Sequence, residues 1–136
     1  MKTVIIVGGG AAGMLAGIAA ARNGGTVHIF EKNEKLGKKV FITGKGRCNV
    51  TNACDTEDLF RNVVTNSKFL YSSFYGFNNF DMMALLEEAG CPLKTERGNR
   101  VFPVSDKSSD VIKALSGMLG RLGAEVHLHS EVKELL

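Results

Sequence analysis

A glycine-rich turn directly behind a short apolar strand constrains this chain more than any other feature. Val4-Ile5-Ile6-Val7 is a β-branched run with no polar alternation, the pattern of a parallel strand covered on both faces. Gly8-Gly9-Gly10-Ala11-Ala12-Gly13 follows at once and satisfies G-x-G-x-x-G. Met14, Leu15, Ile18 and the alanines at 16, 19, 20 and 21 then predict a tightly packing helix that stops at Asn23-Gly24-Gly25. Val27, Ile29 and Phe30 make a second strand ending on Glu31, eighteen residues after Gly13. That spacing is close to the one at which an acid meets a ribose in dinucleotide folds.

Each position in this unit has a physical task. Gly8 allows the turn, Gly10 lets backbone N–H groups reach a pyrophosphate, and Gly13 lets helix and strand touch. Ala11 and Ala12 open the helix, whose N-terminus offers positive potential to an anion. Glu31, with Lys32 beside it, is placed to accept hydrogen bonds from ribose hydroxyls. A carboxylate there repels a 2′-phosphate, which argues against NADP at this position. The expected fold is α/β, a Rossmann-like parallel sheet built on this βαβ unit.

Composition agrees with one soluble domain over residues 1–136. Lys and Arg number 17 against 14 Asp and Glu, and 44% of residues are apolar, enough for a core. A net charge of +3 is too mild to call for nucleic acid or anionic lipid. The uncharged stretch Thr3–Ala21 imitates a signal peptide or a membrane span, but five of its residues are glycines and its strongly apolar run is only four residues long. Three cysteines, Cys48, Cys54 and Cys91, make no disulfide framework and suit a reducing cytoplasm.

A second loop begins just past Glu31. From Lys35 to Arg47 there are five basic residues and no acid, interspersed with Gly37, Gly44 and Gly46. Charge runs are most often solvated loops, yet this one is positioned to wrap the pyrophosphate that the first loop holds.

Glu31 with Gly37, Lys38 and Lys39 resembles the acid-x5-Gly-Gly-Arg pattern of FAD enzymes of the glutathione reductase superfold, with lysines replacing a glycine and the arginine. The stretch Gly37-Lys38-Lys39-Val40-Phe41-Ile42-Thr43-Gly44-Lys45-Gly46-Arg47-Cys48-Asn49-Val50-Thr51-Asn52 closely resembles the signature of the aminoacetone oxidase-like or BaiN-like flavoproteins, and the run Gly98 to Val111 looks like the same family. The resemblance implies an FAD-dependent oxidoreductase of cytoplasmic type, acting on a small organic substrate such as an amine or a conjugated enone, with NAD(P)H a candidate partner. It implies that these residues are the N-terminal half of a two-dinucleotide-binding-type FAD domain, the C-terminal half and a substrate domain lying outside them. Lys39 then neutralises a phosphate, and Gly44, Gly46, Arg47, Cys48 and Asn49 wall the pyrophosphate or flavin side. The backbone of Val132 holds the adenine edge.

Two other readings stay open. Cys48 and Cys54 could form a redox dithiol beside a flavin, as in flavin disulfide reductases, although those resemble C-x4-C and this chain has C-x5-C. Alternatively the chain is a non-catalytic nucleotide-binding module. No metal site is expected: His127-x-His129 puts two imidazoles on one strand face, but no third ligand is evident. No G-x-S-x-G elbow, H-E-x-x-H or P-loop is present.

The remaining chain reads as follows. Six aromatics from Phe69 to Phe80 are expected to pack into a core. Asp81–Ala89 is expected as a helix, and Leu93–Glu96 with Arg100–Phe102 as a hairpin. Ser108 or Ser109 is expected to cap a helix running to Gly123, and Glu125–His129 to form a third parallel strand.

Overall fold

The apolar run of the N-terminus forms β1, Thr3–Val7, and α1, Ala11–Arg22, carries the chain to β2, Thr26–Phe30. After a long excursion, α6, Ser108–Arg121, delivers β6, Glu125–His127. The computed structural model describes residues 1–136, and these three strands make a parallel sheet in the order β1-β2-β6. Its register pairs Ile5 with His28 and His28 with Glu125, and in the next row Val7 with Phe30 and Phe30 with His127. The expected α/β class and parallel Rossmann-like sheet are therefore present.

Between β2 and α6 lie α2, Lys38–Ile42, and a tight turn at Thr43–Gly46. They are followed by β3, Thr51–Asn52, α3, Thr56–Arg61, α4, Tyr71–Gly76, and α5, Asn79–Glu88. The excursion ends with β4, Leu93–Glu96, and β5, Arg100–Pro103, which form the expected hairpin. Strands β3, β5 and β4 make a small antiparallel sheet. Because β3 directly follows the second loop and pairs with β5, it anchors that loop.

The core fills one face of the parallel sheet. Met14 and Ile18 from α1 meet Val27 and Ile29 from β2 and Val111, Leu115, Met118 and Leu119 from α6, all buried. A Cβ at Gly17 would lie 2.9 Å from Leu119 and 3.0 Å from Ile29, so glycine is what lets α1 approach both neighbours.

Three expectations change. The β1 run predicted cover on both faces, but Ile5 and Val7 are 63% and 57% exposed. Both crossovers advance across the sheet in the same direction, so right-handedness puts α1 and α6 on one face and leaves the other open. Five of the six aromatics between Phe69 and Phe80 are exposed rather than in the core; Tyr71, Phe74 and Tyr75 gather instead around Phe60. Neither serine caps α6: Lys107 occupies the cap position, and the Ser108 hydroxyl donates to the Phe41 carbonyl at 2.6 Å, tying α6 to α2.

Candidate functional site

The first loop has the shape expected of an anion cradle. Gly8 adopts φ +96°, a left-handed turn that a side chain resists, and its N–H donates to the Phe30 carbonyl at 2.8 Å. A Cβ at Gly13 would collide with the Gly8 carbonyl, so the loop and the first turn of α1 touch backbone to backbone. A Cβ at Gly10 would meet nothing within 4 Å, and this is the open side of the cradle. The N–H groups of Ala11, Ala12 and Gly13 have no hydrogen-bond partner in the chain, and α1 has neither a side-chain cap nor an acid in its first turn. These donors and the helix dipole point at the space that Gly10 leaves open.

Glu31 lies at the end of β2 and is 93% buried, with its carboxylate already engaged on two sides. Oε1 accepts the Gly9 N–H at 3.0 Å and Oε2 accepts the Asn33 N–H at 2.7 Å. Burial pushes its pKa up, but the bonds from Asn33 and Gly9 outweigh this and hold the carboxyl below its ordinary value. A carboxylate has about four acceptor positions, so roughly one remains free on each oxygen. That number suits the two hydroxyls of a ribose.

Sequence reasoning missed Gly9, Asn33 and Ser130. The Gly9 carbonyl accepts the Gly37 N–H at 2.8 Å, so its peptide groups tie the first loop to Glu31 and to the second loop together. Asn33 gives its N–H to Glu31 and its carbonyl to His129, while the Ser130 N–H donates to the Glu31 carbonyl at 2.8 Å. These are backbone roles, and only Gly9, in a variable position of its motif, left any trace in residue type. The same bonds lead the chain past β6 alongside residues 31–33 and bring Val132, half-buried, two residues beyond Ser130.

The second loop is sharply wound. Gly44, Lys45, Gly46 and Cys48 all have positive φ, between 55° and 85°. One cleft is lined by Ala11 and Leu15 of α1 together with Thr43, Cys48, Asn49 and Val50, so the second loop does face the start of α1. Lys32 and Lys39 are exposed and form no ion pair, unlike Lys38, which pairs with Glu34 at 3.1 Å. Asn49 directs its amide to the carbonyls of Thr51 and Val101 at 2.9 and 3.1 Å.

Arg47 turns away from the cradle. Its guanidinium bonds Asp106 at 2.6 Å and also bonds Glu96, and it lies 4.0 Å over the Phe102 ring. Lys94 completes the network, 2.7 Å from Asp106 and 3.2 Å from Glu96. The side chain of Arg47 therefore braces the second loop against the β4–β5 hairpin. Cys48 is buried, and burial pushes its thiol pKa up, which works against a reactive thiolate there.

A family model described as the HI0933-like protein Rossmann domain matches residues 2–136. A 3-dehydro-bile acid delta(4,6)-reductase from Clostridium scindens is 31% identical over 99% of the chain, covering 33% of that protein. A ribosomal RNA dihydrouridine synthase from Haemophilus influenzae is 28% identical over 96% of the chain, covering 32% of that protein. The chain thus spans about a third of the length of the curated relatives it matches. Among solved structures, a 3-ketosteroid-delta4-(5alpha)-dehydrogenase from Rhodococcus jostii superposes with a TM-score of 0.72 at 16% identity, over 99% of this chain and 39% of that one. At that identity the likeness shows the fold.

Proposed function

The chain belongs to the HI0933-like protein Rossmann domain family, and from that premise we propose that it holds the ADP half of FAD for an oxidoreductase. The observation that carries this reading is the convergence of unpartnered N–H groups at Ala11, Ala12 and Gly13 with the half-engaged carboxylate of Glu31. The N–H groups of Ala11, Ala12 and Gly13, beside the open side at Gly10, would hold the pyrophosphate, and Glu31 would accept from the ribose hydroxyls. Lys39 and Lys32 add positive charge from the exposed rim, and the Val132 backbone borders the adenine. Gly44, Gly46, Cys48 and Asn49 form the second wall toward the flavin.

FAD, when bound, supplies two-electron redox chemistry. The residues of this chain bind and orient it: the helix dipole offsets phosphate charge, Glu31 selects a free ribose over a 2′-phosphorylated one, and Arg47 keeps the second loop in shape. The complete protein acts on a small organic substrate, with a further part of the polypeptide closing over the flavin. The names of the C. scindens and H. influenzae proteins, a reductase and a dihydrouridine synthase, favour a reductive reaction on a conjugated double bond.

Competition calorimetry tests the assignment. FAD should bind the 136-residue chain, ADP should displace it, and FMN, which lacks the adenosine and one of the two phosphates, should not. Displacement by FMN with no effect of ADP would overturn it.

A further inference from the structure

The open face of the parallel sheet carries a cluster that the nucleotide site does not use. The β2–β6 register pairs His28 with Glu125, and His127 lies two residues on, so all three side chains stand on one face. His28 Nδ1 is 3.1 Å from His127 Nε2 and 3.5 Å from Glu125 Oε2, and that oxygen is 3.8 Å from His127 Nε2. The expected His127-x-His129 pair does not form: β6 ends at His127, and His129 turns left-handed with φ 51°. The third ligand that a linear reading lacks comes instead from the neighbouring strand.

We propose that His28 Nδ1, His127 Nε2 and Glu125 Oε2 form a binding site for a Zn2+-like divalent transition metal. Around a tetrahedral zinc with bonds of about 2.0 to 2.2 Å, neighbouring ligand atoms lie about 3.3 to 3.6 Å apart. The three observed separations, 3.1, 3.5 and 3.8 Å, bracket that range. Octahedral coordination at the same bond lengths requires about 2.8 to 3.1 Å, and the two contacts to Glu125 exceed it. Two imidazoles and one carboxylate are also a donor set that zinc accepts, with a fourth position left for water.

Two further observations support a built site. The His127 ring stacks on Phe30 at 4.6 Å and 15°, which holds its plane before any ion arrives, and the His28 ring meets it edge to edge, within 13° of parallel, with the two nitrogens facing. The side chains of His28 and His127 are 27% and 36% exposed, so an ion can reach them from solvent. Without a metal, the two facing ring nitrogens are joined at most by one N–H···N hydrogen bond. A bound ion satisfies all three lone pairs and clamps the three-residue strand β6 to β2.

The test is a Zn2+ titration of the 136-residue chain after dialysis against chelator, read by calorimetry and by long-range proton–nitrogen NMR of its three histidines. The expected result is one Zn2+ per chain, with His28 metallated at Nδ1, His127 at Nε2, and His129 unmoved. Glu125→Gln should weaken binding at least about tenfold and His127→Ala about 100-fold or more, since losing even an outer partner of a ligand costs about 10- to 100-fold. His129→Ala should bind as the unaltered chain does. Absence of saturable one-to-one binding, metallation of His129, or unchanged affinity in both Glu125→Gln and His127→Ala would overturn the proposal.

Discussion

The backbone N–H of Gly9 donates to the carboxylate of Glu31 across 22 positions of sequence, at 3.0 Å. The turn that meets the phosphates and the acid that meets the ribose are thereby one mechanical unit, which Gly37 extends to the second loop through the Gly9 carbonyl. Glu31→Ala removes a ribose acceptor and leaves the Gly9 and Asn33 N–H groups unpaired. It should weaken ADP binding by about 1 to 3 kcal/mol, the scale of hydrogen bonds to a charged acceptor, and lower Tm as well. Calorimetry with parallel thermal melts checks both effects, and unchanged affinity contradicts the assignment.

Gly10 and Gly13 should separate binding from folding. A side chain at Gly10 enters open space in a conformation, φ −81°, that L-residues adopt freely, so Gly10→Val should fold normally and lose ADP. A Cβ at Gly13 collides with the Gly8 carbonyl, so Gly13→Ala should cost about 1 to 3 kcal/mol of stability, as overpacking does. Urea unfolding and ADP titration of both variants distinguish the roles.

Glu31 also gives folding a defined acid dependence. Its carboxyl is held below the ordinary 4.5, so its contribution is fully present above that pH and is lost as pH falls through the lowered folded value. Glu96, held down by Arg47 and then Lys94, and Asp106, held down by Lys94 and then Arg47, act in the same direction. The difference in unfolding free energy between the unaltered chain and Glu31→Gln isolates Glu31: it should be largest at neutral pH and shrink as pH drops below 4.5.

Arg47 is expected to act through the loop it braces. Arg47→Ala frees the second loop from Glu96, Asp106 and Phe102, and Tm should fall by a few degrees. FAD affinity should fall with it, while ADP, held by the first loop and Glu31, should bind nearly as before. Equal losses for ADP and FAD would place the Arg47 side chain on the ADP half instead.

The βαβ unit was legible because its signals are local: β-branched residues, glycines at fixed offsets and an acid at a strand end. The hairpin from Leu93 to Pro103 was legible for the same reason. What escaped depends on neighbours distant in sequence. The exposure of Ile5 and Val7 follows from two crossovers running the same way, which no property of the strand itself reveals. Arg47 reads as part of the wall on the pyrophosphate or flavin side, and its ion pairs with Glu96 and Asp106, about fifty and sixty residues away, leave no local trace. Likewise, His28 joins Glu125 and His127 only through the sheet register, which sets it beside Glu125.

Amide NMR of the isotopically labelled chain during an ADP titration tests the central claim most directly. Saturable one-to-one shifts confined to Gly8–Gly13, Glu31–Asn33 and the backbone about Val132 are the predicted result, and Glu31→Ala should weaken them. Saturable shifts centred elsewhere, or no saturable binding at millimolar ADP, would contradict the account.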